Sequence, residues 1–274
     1  MKTPLALALL AVVQSGWCLA ETTQPEDFLS MDLADLIQVR VATGTLKPLN
    51  KVPAVATVIT AEEIAAMGAT DLDEALAMVP GLHVSHSAQI YASRYFFRGI
   101  VSTRNPEALV LIDGIPYQSV VRGDRNIIGQ RIPAQVITRI EVIRGPGSAV
   151  YGADAYAGVI NIVTKTREQI DGTTIGGRVG SFDSQSIWLQ HGGDWGPLTT
   201  ALTLSYHQTD GHDETIRADN QTGIDGLARV RGLPPVSLAP GPVNLSGEYR
   251  DLYFDTTYEK WHLRLGHEDR SNIG

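Results

Sequence analysis

The sequence predicts an α+β domain followed by the first strands of an antiparallel transmembrane β-barrel. In the first half, helix start and stop signals are interleaved with short apolar strand runs and glycine-rich turns. Residues 172–274 contain five segments in which apolar and polar side chains alternate with a period of two, the pattern of strands with one apolar face. After the N-terminal leader, no apolar run is long enough for a membrane helix, so a bilayer would be crossed by strands.

The N-terminus has the features of a secretory signal peptide. Lys2 supplies a positive charge, residues 5–13 are apolar, and Ala20 is a small residue suited to cleavage. Cys18 leaves a lipoprotein signal open as the alternative, although the bulky Trp17 precedes it where a small residue is expected. Cleavage after Ala20 assigns the first 20 residues to the signal peptide and leaves a mature chain that folds without disulfides.

Composition and motifs exclude several classes of function. The chain has 22 basic and 30 acidic residues and a formal net charge of -8. Because no basic stripe is interleaved with aromatic residues, no nucleic-acid partner is expected. No G-x-S-x-G or H-E-x-x-H motif is found, so no catalytic residues are assigned and no enzyme is expected. His83 and His86 would point to opposite faces of an extended segment, so neither a metal site nor a cofactor is predicted.

The first elements of the α+β domain are two short helices. Thr60 and Glu63 form a capping box at the start of the first helix. Thr70 is predicted to begin the second helix, and Pro80-Gly81 to stop it.

Strands and tight turns follow the helices. Residues 110–112 form a buried strand run, and Asp113-Gly114 is a favoured pair for a hairpin turn, which is the role assigned to Asp113. Residues 137–143 and 158–164 are two further strands joined by a glycine-rich turn. That turn is not a phosphate loop, because no Gly-Lys-Ser/Thr follows it.

Three blocks of this sequence resemble, in the same order, the plug domain of TonB-dependent outer-membrane receptors. The first holds the two helix signals, the second the hairpin turn, and the third the glycine-rich turn. The resemblance covers roughly residues 31–274 and implies a 22-strand barrel with a globular plug inside it. The blocks are ITAEEIAAMGATDLDEALAMVPGLHV (59–84), YFFRGIVSTRNPEALVLIDGIPY (95–117) and RIEVIRGPGSAVYGADAYAGVINIVTK (139–165).

The alternating segments after residue 172 fit the wall of such a barrel. The connections at residues 194–197 and 259–260 are short, whereas residues 209–247 form a long polar excursion. This asymmetry between periplasmic turns and outer loops is typical of outer-membrane barrels. The aromatic residues that flank the two short turns suit a membrane interface; they are Trp195, Tyr258 and Trp261.

The resemblance implies four regions and an incomplete barrel. Residues 1–20 are the signal peptide, 21–50 an N-terminal periplasmic segment, 51–167 the plug, and 172–274 about five of 22 barrel strands. An open sheet edge in lipid leaves backbone groups unsatisfied, and Gly274 is not the terminal aromatic usual in this class. We therefore expect a C-terminally truncated fragment that does not form a barrel or transport by itself.

The function that the resemblance implies is active uptake of a scarce nutrient at the outer membrane. The ligand classes are ferric siderophores, haem and cobalamin, the energy-coupling partner is TonB, and outer-membrane lipid surrounds the wall. The candidate TonB box, which would pair with TonB by strand addition, consists of Val39, Arg40, Val41, Ala42, Thr43, Gly44 and Thr45. An ordinary first plug strand is the alternative interpretation of this segment.

Two further sets of residues are predicted from the resemblance. Glu141 and Arg144 are candidates for contacts between the plug and the barrel, with an exposed ion pair of under about 1 kcal/mol as the alternative. The candidates for ligand-facing plug loops combine aromatic, amide and cationic groups that suit flat or anionic ligands. They are Gln89, Tyr91, Arg94, Tyr95, Arg122, Arg125 and Asn126.

Two other classes of protein remain open at this point. A receptor that also signals to transcription would need a further periplasmic domain before the TonB box, and only about twenty residues separate Glu21 from Val39. A soluble periplasmic plug-like binding protein would instead fold the last strands as a small independent sheet, with their apolar faces inward.

Overall fold

The computed structural model describes residues 38–39, 47–48, 55–87, 92–100, 102, 105–118, 131–145, 151–212, 214–243 and 245–272. The helices are α1 Ala61–Met67, α2 Leu72–Leu76 and α3 Asn220–Val230, and 3-10 turns cover Ala134–Val136 and Ala153–Ala155. The strands are β1 Gln38–Val39, β2 Lys47–Pro48, β3 Val55–Thr60, β4 Leu82–Ser87, β5 Ala92–Phe97, β6 Ala108–Ile112, β7 Ile115–Pro116, β8 Ile137–Arg144, β9 Gly158–Thr164, β10 Gly172–Gly180, β11 Ser184–Trp195, β12 Leu198–Thr209, β13 Thr215–Ile216, β14 Gly241–Pro242, β15 Gly247–Tyr258 and β16 Trp261–Ser271.

The first helix follows its sequence signals, and the second differs from them. Thr60 and Glu63 form the predicted capping box of α1. The N-cap of α2 is Asp71 rather than Thr70, because the Asp71 carboxylate accepts a hydrogen bond from the Glu74 amide at 3.0 Å. The helix ends at Leu76, earlier than predicted. Beyond Leu76 the chain forms tighter turns, in which a backbone amide donates to the carbonyl oxygen three residues earlier. The helix does not continue because the residue before a proline disfavours the helical conformation.

The plug is built from the first two helices, the β4–β5 hairpin and one five-stranded sheet. The strand order of this sheet is β3-β8-β9-β6-β7, with β6 and β9 parallel and the other pairs antiparallel. Asp113 and Gly114 have positive φ angles in the β6–β7 turn, as the predicted hairpin requires. Gly158 at the start of β9 permits close packing, since a Cβ there would lie 2.5 Å from the Phe97 ring and 2.7 Å from the Ile143 carbonyl oxygen.

The plug core lies between this sheet and the helices. Ile64, Leu72 and Leu76 project from the helices and are almost completely buried. They pack in one cluster with sheet residues such as Ile140 and Ile160. Burying each such side chain contributes about 1.5–3 kcal/mol, so apolar packing between two layers holds the plug together.

A second five-stranded sheet, which we call the wall sheet, follows the plug. It is antiparallel, with the order β10-β11-β12-β15-β16, and its strands contain the five alternating segments predicted from the sequence. Ile175, Leu189, Leu204 and Leu252 form one cross-strand row. Ile175 is 68% exposed and Leu204 38%. The apolar face of the wall sheet is therefore turned away from the plug.

The two ends of the wall sheet differ in character. At the short turns, one cross-strand row contains Trp195, Leu198, Tyr258 and Trp261, and its three aromatic residues are exposed. At the other end, residues 210–246 connect β12 to β15 and include α3, which Asp219 caps. No helix among the described residues combines the length and the apolar character needed to traverse a bilayer.

Candidate functional site

Most of the predicted TonB-box and ligand-facing residues lie outside the part of the chain that the structure describes. Val39 pairs with Lys47 in the β1–β2 ladder. The residues outside the described ranges are Arg40, Val41, Ala42, Thr43, Gly44, Thr45, Gln89, Tyr91, Arg122, Arg125 and Asn126.

Of the ligand-facing candidates, Arg94 and Tyr95 are described, and they lie on opposite sides of β5. The Arg94 side chain is half-buried, with its guanidinium carbon 5.8 Å from the centre of the Phe96 ring. Tyr95 is completely buried in the plug core, and its hydroxyl donates to Asp73 Oδ1 at 3.2 Å. The prediction that Tyr95 faces a ligand is therefore corrected, because side chains alternate along a strand and this one points into the core.

The Tyr95 hydroxyl belongs to a polar cluster around Asp73. Asp73 also accepts a hydrogen bond from the Ser93 hydroxyl, and the Nε2 atom of His86 lies 3.0 Å from it. This hydrogen bond to Asp73 raises the pKa of His86. Beside the cluster, burial raises the pKa of Asp71 to about 6, although the Arg131 guanidinium 3.8 Å away opposes the shift.

These two shifts predict that the plug is more stable at mildly acidic pH than at neutral pH. A raised folded-state pKa means that folding favours the protonated form. Protonation of Asp71 adds about 2–3 kcal/mol to the free energy of unfolding. This contribution is complete below about pH 4 and is lost as the pH rises to about 6. The His86 contribution is present below its usual pKa of 6.5 and is lost above it.

Urea unfolding of the purified chain in detergent, measured between pH 4 and pH 8, tests this prediction. The Asp71→Asn variant keeps a helix cap but cannot titrate. We expect its stability to change much less between pH 4 and pH 6 than that of the unaltered chain. Equal pH profiles for the two proteins would contradict the assignment to Asp71.

The two predicted plug–barrel contact residues are engaged inside the plug. Glu141 is completely buried in β8, where it accepts hydrogen bonds from Arg139 Nε at 2.8 Å and Asn161 Nδ2 at 3.0 Å. Arg144 donates to the Pro80 carbonyl oxygen at 2.5 Å and to Thr57 Oγ1 at 3.0 Å. Their proposed contact with a barrel stays a prediction.

Plug and wall sheet are joined by polar contacts that the sequence did not reveal. Arg264 of β16 forms an ion pair with Asp113, its Nη1 atom lying 3.0 Å from Oδ2. Gln190 Nε2 donates to the Gln135 carbonyl oxygen at 2.9 Å. Arg270 Nη2 donates to the Arg131 carbonyl oxygen, also at 2.9 Å. The only signal in the sequence was the position of these three side chains on the polar face of their strands.

A cavity of about 400 Å³ lies between the plug and the wall sheet. The plug side is formed by the β6–β7 hairpin and the end of β9, and the wall side by β12, β15 and β16. Its polar lining includes Asp113, Lys165, Asp255, Arg264 and Glu268. Burial lowers the pKa of Lys165. Acidic and basic side chains therefore face one another across the cavity.

Comparison with known proteins identifies relatives of the plug and wall sheet. The family model of the TonB-dependent receptor plug domain matches residues 48–159. The vitamin B12 transporter BtuB of Vibrio vulnificus strain CMCP6 is 40% identical over 136 residues, 49% of this chain and 22% of the transporter. BtuB of Vibrio cholerae strain O395 is 31% identical over 206 residues, 73% of this chain and 31% of the transporter.

Solved structures with the same fold are also receptors. The ferripyoverdine receptor of the outer membrane of Pseudomonas aeruginosa superposes with a TM-score of 0.59 at 17% identity, over 85% of this chain and 27% of that one. The ferric yersiniabactin uptake receptor FyuA of Yersinia pestis gives a TM-score of 0.56 at 22% identity, over 79% and 31%. At these identities the likeness supports the fold alone.

The chain spans less than a third of the length of these curated relatives. The similar proteins are transporters and receptors rather than enzymes. The matched family model and the similar structures both fit the observed fold, an α+β plug followed by an antiparallel sheet. This chain therefore belongs to the TonB-dependent receptors of the outer membrane, whose plug lies on the periplasmic side.

Proposed function

We propose that this chain forms the plug and first wall strands of a receptor that takes up cobalamin. The observation that carries the proposal is the two-sided wall sheet. Side chains of its polar face bind the plug, among them Gln190, Arg264 and Arg270, and its opposite face is apolar and exposed. A strand wall with lipid on one side and a plug on the other requires this arrangement.

Sequence similarity favours cobalamin over a siderophore. The first five curated relatives share the name vitamin B12 transporter, at 31–40% identity. The siderophore receptors resemble this chain at 17–24% identity in the structures compared, which supports the fold and not the ligand. The proposed division into a signal peptide (1–20), a periplasmic segment (21–50), a plug (51–167) and the first part of a barrel (172–274) follows the same family.

A fusion protein tests the ligand. This chain would replace the matching N-terminal part of the Vibrio cholerae vitamin B12 transporter, in a strain without a transporter of its own. We expect uptake of radiolabelled cyanocobalamin above that of the empty strain. Heat-shift electrophoresis of the outer membrane reports whether the barrel has formed. A fusion that forms the barrel and takes up no cyanocobalamin would contradict the proposal.

The proposed energy coupling acts through residues 39–45. An extended peptide that adds to a sheet edge on TonB binds mainly through its backbone amides and carbonyls. Val41→Pro removes one amide donor from this segment, whereas Val41→Ala keeps the donor and shortens the side chain. If TonB binds through backbone pairing, proline should lower the uptake rate strongly and alanine only slightly.

In the fusion protein, we expect Val41→Pro to lower the initial uptake rate about tenfold or more, since loss of the pairing uncouples TonB. Binding of cyanocobalamin to whole cells should be unchanged, because the ligand binds on the other side of the plug. The matched Val41→Ala variant should keep most of the uptake. Normal uptake by Val41→Pro would contradict the assignment of residues 39–45 as the segment that contacts TonB.

A further inference from the structure

The β6–β7 turn of the plug is held from several directions. The Asp113 carboxylate accepts hydrogen bonds from the Thr164 amide at 2.8 Å and from Thr164 Oγ1 at 2.7 Å. The amide of Gly114 donates to Asn161 Oδ1 at 3.0 Å. Both contacts tie the turn to β9, so the Asp113 side chain is fixed before it meets the wall sheet. Asp113 therefore does more than form the hairpin turn predicted from the sequence.

The wall side of the contact is also fixed in advance. Arg264 lies directly opposite Asp255 in the β15–β16 register, and Arg264 Nε donates to Asp255 Oδ2 at 2.7 Å. His262 Nε2 lies 2.5 Å from the same oxygen. A second guanidinium nitrogen, Nη1, reaches Asp113. An arginine already held by one carboxylate loses little further side-chain entropy when it binds a second.

Burial makes this ion pair different from an exposed surface pair. The Asp113 side chain is 6% exposed and that of Arg264 is 33% exposed. In such surroundings water screens the attraction less than at a surface. Removing one partner leaves a buried charge without its counter-ion, which is unfavourable.

The turn also continues into the interior of the plug. Asn161, which holds the Gly114 amide, donates to the buried Glu141 carboxylate, and Glu141 in turn accepts from Arg139. Hydrogen bonds therefore connect β8 through β9 to the turn, and the ion pair connects the turn to Arg264 of the wall sheet. Asp113 and Arg264 both line the cavity between plug and wall sheet.

We propose that the Asp113–Arg264 ion pair is a latch that holds the β6–β7 hairpin against the wall sheet. When the latch opens, the hairpin separates from β15 and β16, and the cavity between them widens. That this separation lets a ligand pass rests on the proposed uptake function. The latch itself does not depend on the identity of any ligand.

Amide hydrogen exchange of the full chain in detergent micelles tests the latch. We expect Arg264→Gln to speed the exchange of residues 108–118 about tenfold, because the hairpin then opens locally. Arg250→Gln is the matched control, since Arg250 lies on the same sheet and forms ion pairs with Glu248 and Asp269. This control should leave residues 108–118 unchanged.

A double variant separates the latch from a general loss of structure. Asp113→Asn keeps a residue type that tolerates positive φ and removes the charge. If the two charges act as one pair, Arg264→Gln combined with Asp113→Asn should exchange no faster than the faster single variant. Multiplied effects in the double variant would overturn the proposal. An equal rise over residues 62–79 in Arg264→Gln would overturn it too, because the whole plug would then be unfolding.

The exchange experiment and the uptake experiment fail independently. Unchanged exchange in Arg264→Gln removes the latch and leaves cobalamin uptake untouched. An inactive fusion protein removes the uptake proposal, and the exchange result stands without it.

Discussion

Replacing Glu141 with alanine is expected to lower the free energy of unfolding of the plug by about 3–5 kcal/mol. The Glu141 side chain of β8 is completely buried. It accepts hydrogen bonds from Arg139 and Asn161. Alanine removes both acceptors, so a guanidinium and a buried amide lose their partners, and a void remains in a close-packed sheet.

Pulse proteolysis of the purified chain in detergent across a urea series measures this change. Glu141→Gln provides a graded comparison, because it retains an acceptor oxygen and the volume while losing the charge; we expect a loss smaller than that of alanine. Glu168→Ala is the matched control, since Glu168 is exposed, and surface substitutions usually stay within about 0.5 kcal/mol.

The same variants distinguish a structural role for Glu141 from a contact with a barrel. A role inside the plug predicts that stability falls first and that uptake by the fusion protein follows it. If Glu141→Gln abolished uptake while the unfolding midpoint stayed unchanged, the residue would act through a partner outside the plug. That result would support the contact predicted from the family resemblance.

Local signals in the sequence predicted several elements of the fold correctly. The Thr60–Glu63 capping box and the Asp113–Gly114 turn each depend on neighbours a few residues away. The alternation of apolar and polar side chains after residue 172 likewise indicated β12. The start of α2 was displaced by one residue because Thr70 and Asp71 are both capable caps, and only the geometry decides which side chain reaches the Glu74 amide.

The contacts between plug and wall sheet could not be predicted in the same way. Asp113 lies in the plug and Arg264 in the last strand of the wall sheet, far apart in the sequence. Each also has an adequate local role, in a turn and opposite Asp255. Tyr95 was misassigned for a different reason. Alternation shows that Arg94 and Tyr95 point to opposite sides of a strand, but it does not say which side is the core.

Replacing Gly192 with alanine is expected to detach the segment before β10 from the wall sheet. A Cβ at this position would lie 1.9 Å from the Ile170 carbonyl oxygen. That distance is far inside van der Waals contact, and a backbone carbonyl cannot rotate away as a flexible side chain can. The segment also depends on Arg167, whose guanidinium contacts Asp194 at 3.2 Å. Displacing Ile170 should therefore break this ion pair as well, at a combined loss of about 3 kcal/mol.

Limited trypsin digestion reads this change directly, because Lys165 and Arg167 are cleavage sites within the detached segment. We expect Gly192→Ala to be cut there about tenfold faster than the unaltered chain, as the segment becomes accessible. Gly193→Ala is the matched control: the adjacent Cβ would meet only the ends of the His191 and Trp195 side chains, at 3.3 Å and 3.4 Å. Its cleavage rate should stay close to that of the unaltered chain. If both glycine variants were cut at the same rate, close packing at Ile170 would not be what joins the plug to its wall.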